Sequence, residues 1–215
     1  MNPRTALSAT GYGIRCARPV ESGAIAALLT RAFADDPVMV WMVPEPSGQE
    51  GRIARFFRLA QHRQRPRAGG VRVAATDGGQ LLAAALWSGP GRWKASAVRE
   101  LATVPSYARV FGVRGLSRAA SVQNALEEAH PHAPHWYLST LGTDPAIQGA
   151  GVGSALVREQ LAHCDRLGQP AYLESSKASN VPFYEGFGFR VTHEMRLPDG
   201  GPPLWSMWRD AAPGR

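Results

Sequence analysis

The most constraining stretch of this sequence lies between Trp136 and Ser175, where strand, glycine-rich loop, amphipathic helix and strand follow one another. Trp136 to Thr143 reads as the first strand and Ala171 to Ser175 as the second. Between them Val152 to Leu167 repeats apolar residues at helical spacing, with Val157, Leu161 and Cys164 on the inner stripe, until Gly168-Gln169-Pro170 stops the helix. Strands joined by a crossover helix cannot pair through a tight turn, so this pair must lie parallel. Ahead of the helix, Gln148-Gly149-Ala150-Gly151-Val152-Gly153 gathers backbone N–H groups and the positive end of the helix dipole around one point. That arrangement holds an anion, and glycines let its oxygens approach the backbone. A plain helix entry needs one glycine, not three.

The rest of the chain supplies antiparallel neighbours. Ile14 to Val20 alternates like a strand, and Ala24 to Phe33 follows as a helix with Ile25, Leu28, Leu29 and Phe33 on one face. Asp36-Pro37 breaks it, an apolar loop passes Trp41 and Met42, and a second helix runs from Gln49 to Gln64. Gly70 to Thr76 and Gln80 to Trp87 form a hairpin about Asp77-Gly78-Gly79, and Phe189 to Leu197 pairs with Leu204 to Arg209 across Pro198-Asp199-Gly200-Gly201. Trp93 to Glu128 reads as two or three short helices interrupted by Pro105, Gly112 and Gly115. Residues 1–12 lack periodicity and read as a flexible tail; residues 13–215 read as one domain.

Three nucleotide loops compete for the glycine segment. A Walker loop needs a lysine after its last glycine, and here Ser154-Ala155 follow Gly153. A dinucleotide fingerprint finds Gly149 and Gly151, but Ser154 stands at the third glycine and the loop lies too far from its strand; only Glu174 suits it. The third is Gln/Arg-x-x-Gly-x-Gly/Ala, the pyrophosphate loop of the GNAT N-acetyltransferases, which Gln148, Gly151 and Gly153 match. The chain resembles that family beyond the loop as well. Trp136 to Pro145 is similar to its fourth strand, Tyr172-Leu173-Glu174-Ser175-Ser176 to its fifth, and Asn180-Val181-Pro182-Phe183-Tyr184-Glu185-Gly186-Phe187-Gly188-Phe189 to its closing helix and Gly-Phe turn. With Ala32-Phe33-Ala34-Asp35, these motifs are most similar to puromycin N-acetyltransferase-like members.

The resemblance implies a mixed α/β (α+β) fold, with a mostly antiparallel twisted sheet of about seven strands, one splayed parallel pair and flanking helices. It implies acetyl-CoA as cosubstrate, its pyrophosphate on Gln148, Gly149, Ala150, Gly151, Val152, Gly153 and Ser154 and its pantetheine along Leu141, Gly142 and Thr143. Asn180 would hold the same arm or merely cap a helix. Tyr184 would protonate the leaving thiolate, or else be a core aromatic beside Phe183, Phe187 and Phe189. Glu174 would take or bind the proton of an acceptor ammonium, unless an arginine pairs with it. Asp35, Asp36 and Trp41 would face the acceptor, the aspartates alternatively serving only to end the first helix. The activity so implied is transfer of acetyl from acetyl-CoA to a primary amine of a small molecule, by direct attack in a ternary complex, in a monomer or homodimer.

Composition narrows the alternatives. The chain has 215 residues, 44% hydrophobic, and 24 basic against 17 acidic residues, only Lys94 and Lys177 being lysine, for a net charge of +7. That charge attracts anions and raises a nucleic-acid-binding alternative, but the arginines form no run and no aromatic residues interleave with them. Acetylation of protein amino groups, or CoA binding without catalysis, is the other alternative. No apolar stretch resembles a signal peptide or a membrane span, so neither export nor membrane insertion is expected. Cys16 and Cys164 show no paired spacing, and a cytoplasmic location follows. His130-x-His132-x-x-His135 has no acidic or cysteine companion and prolines at 131 and 134, so no metal is expected.

Overall fold

The structure, a computed structural model, describes residues 11–44, 47–64, 69–94 and 97–212. The tail expected at the N-terminus falls, through residue 10, outside the described residues, and the first strand, β1 (Tyr12–Cys16), already begins within its last part. Helix α1 (Ser22–Ala32) follows, then α2 (Pro37–Met42) and α3 (Gln49–Gln64). Strands β2 (Gly69–Thr76) and β3 (Leu81–Ser88) precede the long helical run α4 (Ala97–Ala129). After it come β4 (Trp136–Thr143), α5 (Val152–Arg166), β5 (Ala171–Ser175), the short α6 (Val181–Glu185), β6 (Arg190–Arg196) and β7 (Pro203–Arg209).

The strands form one seven-stranded sheet in the order β1-β2-β3-β4-β5-β7-β6. Every pairing is antiparallel except β4 with β5, the pair joined by crossover helix α5. β7 turns back from β6 through Asp199 and Gly200, both at positive φ, and lies between β6 and β5. Positive φ at both central residues is what a tight hairpin with right-handed strand twist requires.

β3, Leu-Leu-Ala-Ala-Ala-Leu-Trp-Ser, is buried over all but its first residue because helices cover both faces of the sheet. Ala84 and Leu86 face one core with Leu28 and Leu29 of α1 and Phe57 of α3. Ala83, Ala85 and Trp87 face a second core with Leu156, Val157, Leu161 and Cys164 of α5. Small alanines in the central strand let both helical layers approach closely.

One local reading needed correction. Asp36-Pro37 ends α1 but also starts α2: Asp36 Oδ1 accepts from Met39 N at 2.9 Å, and Pro37 takes the first helical position. The segment after Trp93, from Ala97 to Ala129, is two helices meeting at a kink, in keeping with the sequence reading: Gly112 leaves helical geometry (φ 66°, ψ −177°), while Pro105 stays inside the helix. Just past the bend α4 meets α2 so closely that a Cβ at Gly115 would overlap the carbonyl oxygen of Met42.

Arg209 of β7 locks α5 to the far end of the sheet. Arg209 grips both oxygens of Asp165 at 2.7 and 2.8 Å, and its Nε donates to Phe187 O at 2.8 Å. No helix of the described residues is long and apolar enough to cross a membrane.

Candidate active site

β4 and β5 pair only from Trp136–Leu138 to Ala171–Leu173. The cause lies on the other edge of β4, where Leu86 faces Thr140 and Trp87 faces Leu138, leaving Ser139 as an extra residue. Such a bulge bends its strand and increases the local twist. Beyond Ser139, β4 continues with β3 while β5 stays with β7, and the two parallel strands part.

The resulting cleft has a volume of about 480 Å³. Leu141, Gly142 and Thr143 form one wall, and Gln148, Gly149, Gly151, Val152, Gly153 and Ser154 close its end. Gly149 and Gly151 stand at φ 80° and 81°, Gly151 serving as the cap of α5. A first helical turn has no carbonyl one turn earlier, so the amides of Val152, Gly153 and Ser154 project from the helix end. Ala150 departs from the expected set: it lies outside the cleft wall, and its amide donates to Ile147 O at 3.2 Å. The Gln148 side chain donates to Thr143 O at 3.3 Å, which ties the loop to the end of β4.

Opposite this wall stand Glu174, Lys177, Asn180 and Tyr184. Tyr184 is half-buried, with Phe183 and Phe189 around its ring, and burial pushes its phenol above the usual range, so it carries its proton. Asn180 caps α6 without a side-chain bond to the helix and is exposed in the cleft. The Glu174 side chain is only 5% exposed. Its charge also helps to push up the Tyr172 phenol, which burial raises most and which donates to Ser206 Oγ at 2.9 Å. Among the described residues no arginine pairs with it; its neighbours are the Tyr172 phenol and His130, whose Nδ1 lies 3.7 Å from Glu174 Oε1.

Of the three residues expected at the acceptor, Asp35 and Asp36 line the cleft and Trp41 does not. Asp35 is exposed on the rim and pairs with Lys177 Nζ at 2.7 Å, which holds its carboxyl below the ordinary range. Asp36 is buried and committed to the fold: one oxygen caps α2 and the other accepts from Ser176 Oγ just after β5. Trp41 packs under the Arg118 guanidinium, 5.2 Å from its ring centroid, and lies in the wall of neither cavity.

A second cavity of about 390 Å³ adjoins the first, sharing Ser139 and Thr140 in its wall. α4 supplies most of the lining, including Tyr107, Phe111 and Leu126, with Met42 from α2, Phe56 from α3, Trp93 and His130. Sequence reasoning weighed His130 and His135 only as metal ligands. Among the described residues no group of three or more His, Cys, Asp or Glu is arranged for a metal ion. Instead His130 Nε2 lies 3.0 Å from His135 Nε2, and its ring stacks on Trp93 at 3.6 Å between centroids. The five-residue spacing was visible in the sequence; its meeting with Glu174 depends on β4 and β5 lying side by side.

This fold and cleft have known counterparts. Residues 118–207 match the family described as acetyltransferase (GNAT) domain. An uncharacterised N-acetyltransferase of Schizosaccharomyces pombe is 30% identical over 177 residues, 76% of this chain and 68% of the relative. A crystal structure from Corynebacterium glutamicum, named as histone acetyltransferase HPA2 and related acetyltransferase, is 27% identical. The match covers 94% of this chain and 98% of that one with a TM-score of 0.73. A Drosophila melanogaster polyamine N-acetyltransferase shares the fold at a TM-score of 0.59 and 15% identity, over 93% of this chain and 100% of that one. Fold and sequence together define an acetyltransferase. The chain belongs to the GNAT family of N-acetyltransferases, whose members use acetyl-CoA as cosubstrate.

Proposed function

We propose that the protein moves the acetyl group of acetyl-CoA to the primary amine of a small molecule with a flat, apolar body, by direct attack in a ternary complex. The observation that carries this reading is the apolar chamber meeting the cleft at Ser139 and Thr140. Its volume of about 390 Å³ falls in the range of small-molecule sites, roughly 300–1,000 Å³. Among the described residues its wall is mostly aromatic and aliphatic, with Thr103, Gln123, His130, Ser139 and Thr140 but no Asp or Glu, so a polyamine would bury cationic groups there without a carboxylate to pair with.

The cleft suits the cosubstrate. The amides of Gly151 to Ser154 and the dipole of α5 favour a pyrophosphate, and the β5-facing edge of β4 from Leu141 to Thr143 offers peptide groups to a pantetheine arm. Asn180 lies where it can hold that arm. From the wall of the cleft Glu174 accepts a proton from the acceptor ammonium, freeing the nitrogen lone pair for the acetyl carbonyl. Tyr184, whose phenol is held above its usual range, gives its proton to the departing sulfur and regains one from the nitrogen, which sheds its second proton as the tetrahedral intermediate collapses to the amide. The motif likeness to puromycin N-acetyltransferase-like members favours aminonucleosides among the aromatic amines. Free thiols at Cys16 and Cys164 suit the reducing cytoplasm.

An amine panel assayed by release of CoA thiol tests the proposal. Arylalkylamines and aminonucleosides should surpass polyamines, aminoglycosides and a histone-tail peptide in kcat/KM. A peptide as the best substrate would overturn the small-molecule reading, and activity with alcohols but not amines would overturn the amine.

A further inference from the structure

The hydrogen bonds behind Glu174 fix where protons can sit. The carbonyl oxygen of Ala133 only accepts, so His135 Nδ1, 2.7 Å away, must be the N–H. Burial, with His130 adjacent, lowers the His135 pKa below its ordinary value and keeps that ring neutral. His135 Nε2 is then a lone pair, and across 3.0 Å the His130 Nε2 must donate to it. A neutral His130 is left with a lone pair on Nδ1, the atom 3.7 Å from Glu174 Oε1. Two acceptors face each other, and Glu174 Oε1 accordingly has no hydrogen-bond partner among the described residues although it is buried. One proton placed between them gives each a partner once the two close from 3.7 Å to hydrogen-bonding distance.

We propose that the proton removed from the acceptor ammonium is stored on His130 Nδ1, in a relay whose tautomer is set by the Ala133 carbonyl through His135. This rests on reading Glu174 as the group that takes that proton. The ammonium N–H bond breaks and leaves its electron pair on nitrogen. An O–H bond forms at Glu174 and breaks again as the N–H bond forms at His130, which becomes an imidazolium beside a carboxylate. After product leaves, the proton returns through Glu174 to water, giving the one proton released per acetyl transfer.

Trp93 presents its ring face to His130, and aromatic faces attract imidazolium. The other polar groups facing His130 are the Tyr137 and Tyr172 rings at 5.0 Å, from β4 and β5, and beyond Trp93 the Lys94–Glu127 ion pair. His130 and His135 act through Glu174 and are positioning residues.

Two measurements on the full chain decide the matter. Long-range proton–nitrogen NMR of the wild type at mildly alkaline pH should show His130 protonated on Nε2 and His135 on Nδ1; a proton resting on His130 Nδ1 overturns the proposal. With acetyl-CoA and an arylalkylamine, His130→Gln should lower kcat about 10-fold or more, leave the KM for acetyl-CoA within about twofold, and flatten the acid limb of the kcat/KM profile. A wild-type limb with unchanged kcat overturns it equally. If the wild type releases no CoA thiol with any amine, the acetyl-transfer reading of the site fails, while the nitrogen shifts still decide the proton arrangement.

Discussion

Gly151 separates two effects that a single substitution would confound. Its φ of 81° and ψ of 0° are left-handed, yet no atom lies within 4 Å of where its Cβ would stand. In Gly151→Ala the cost is therefore backbone strain alone, about 1–2 kcal/mol. For a chain of this size that is a fall in Tm of about 2–8 °C. Acetyl-CoA at about 100 times its Kd adds about 2.7 kcal/mol of stability, or about 5–11 °C. Gly151→Glu carries the same strain but puts a carboxylate where the pyrophosphate is expected. At an effective dielectric near 20, two unit charges about 4 Å apart repel by about 4 kcal/mol, more than the binding term. Thermal unfolding with and without acetyl-CoA should thus show Gly151→Ala shifted down but still responsive, and Gly151→Glu shifted down and unresponsive. A Gly151→Glu protein that keeps the full ligand-induced rise would refute an anion site at this loop. An alanine variant as stable as wild type would refute the strain argument.

Three other substitutions test separate parts of the molecule. Tyr184→Phe should lower kcat by roughly 10²-fold with little change in the KM for acetyl-CoA, because the hydroxyl acts on the leaving sulfur; steady-state kinetics at saturating amine would show it. Glu174→Gln should hurt kcat/KM most at low pH, where the acceptor is fully protonated, and the gap to wild type should close as pH nears the pKa of the amine. Asp165 is held below its ordinary pKa chiefly by the hydrogen bonds from Arg209. A depressed folded-state pKa stabilises the fold above the unfolded value near 3.9, and that stability is lost as pH falls through the folded one. Denaturation midpoints followed from pH 5 downward should consequently fall less steeply in Asp165→Asn than in wild type.

Much of the donor side could be read from the sequence because its signals are local. Gln148, Gly151 and Gly153 lie within six residues, and Trp136 to Ser175 dictates a parallel pair through covalent connection alone. What escaped was set by contacts between distant segments or by one residue serving twice. Asp36 looked like a helix breaker or a substrate ligand; it caps α2 and also holds Ser176, a partner 140 residues away. The Ser139 bulge leaves no mark in a strand pattern, since it exists only as a mismatch of register with β3. Glu174 lies on β5 and His130 just past the end of α4, and only the packed fold brings the two together. Trp41 sat close in sequence to acceptor-side residues, but Arg118 covers its ring.

The bulged residues Ser139 and Thr140 divide the molecule's chemistry between different stretches of chain. Below them, the donor cleft draws mainly on residues 138–184; above them, the apolar chamber draws mainly on α4. On the proposed assignment, selection can therefore reshape the helix beside the acceptor without disturbing the loop proposed for the acetyl donor. Exchange of bulky for small side chains at Tyr107, Phe111 and Leu126 would alter the room in the chamber while the cleft keeps its walls. A drifting repertoire of amines on a constant donor is the evolutionary behaviour this partition permits.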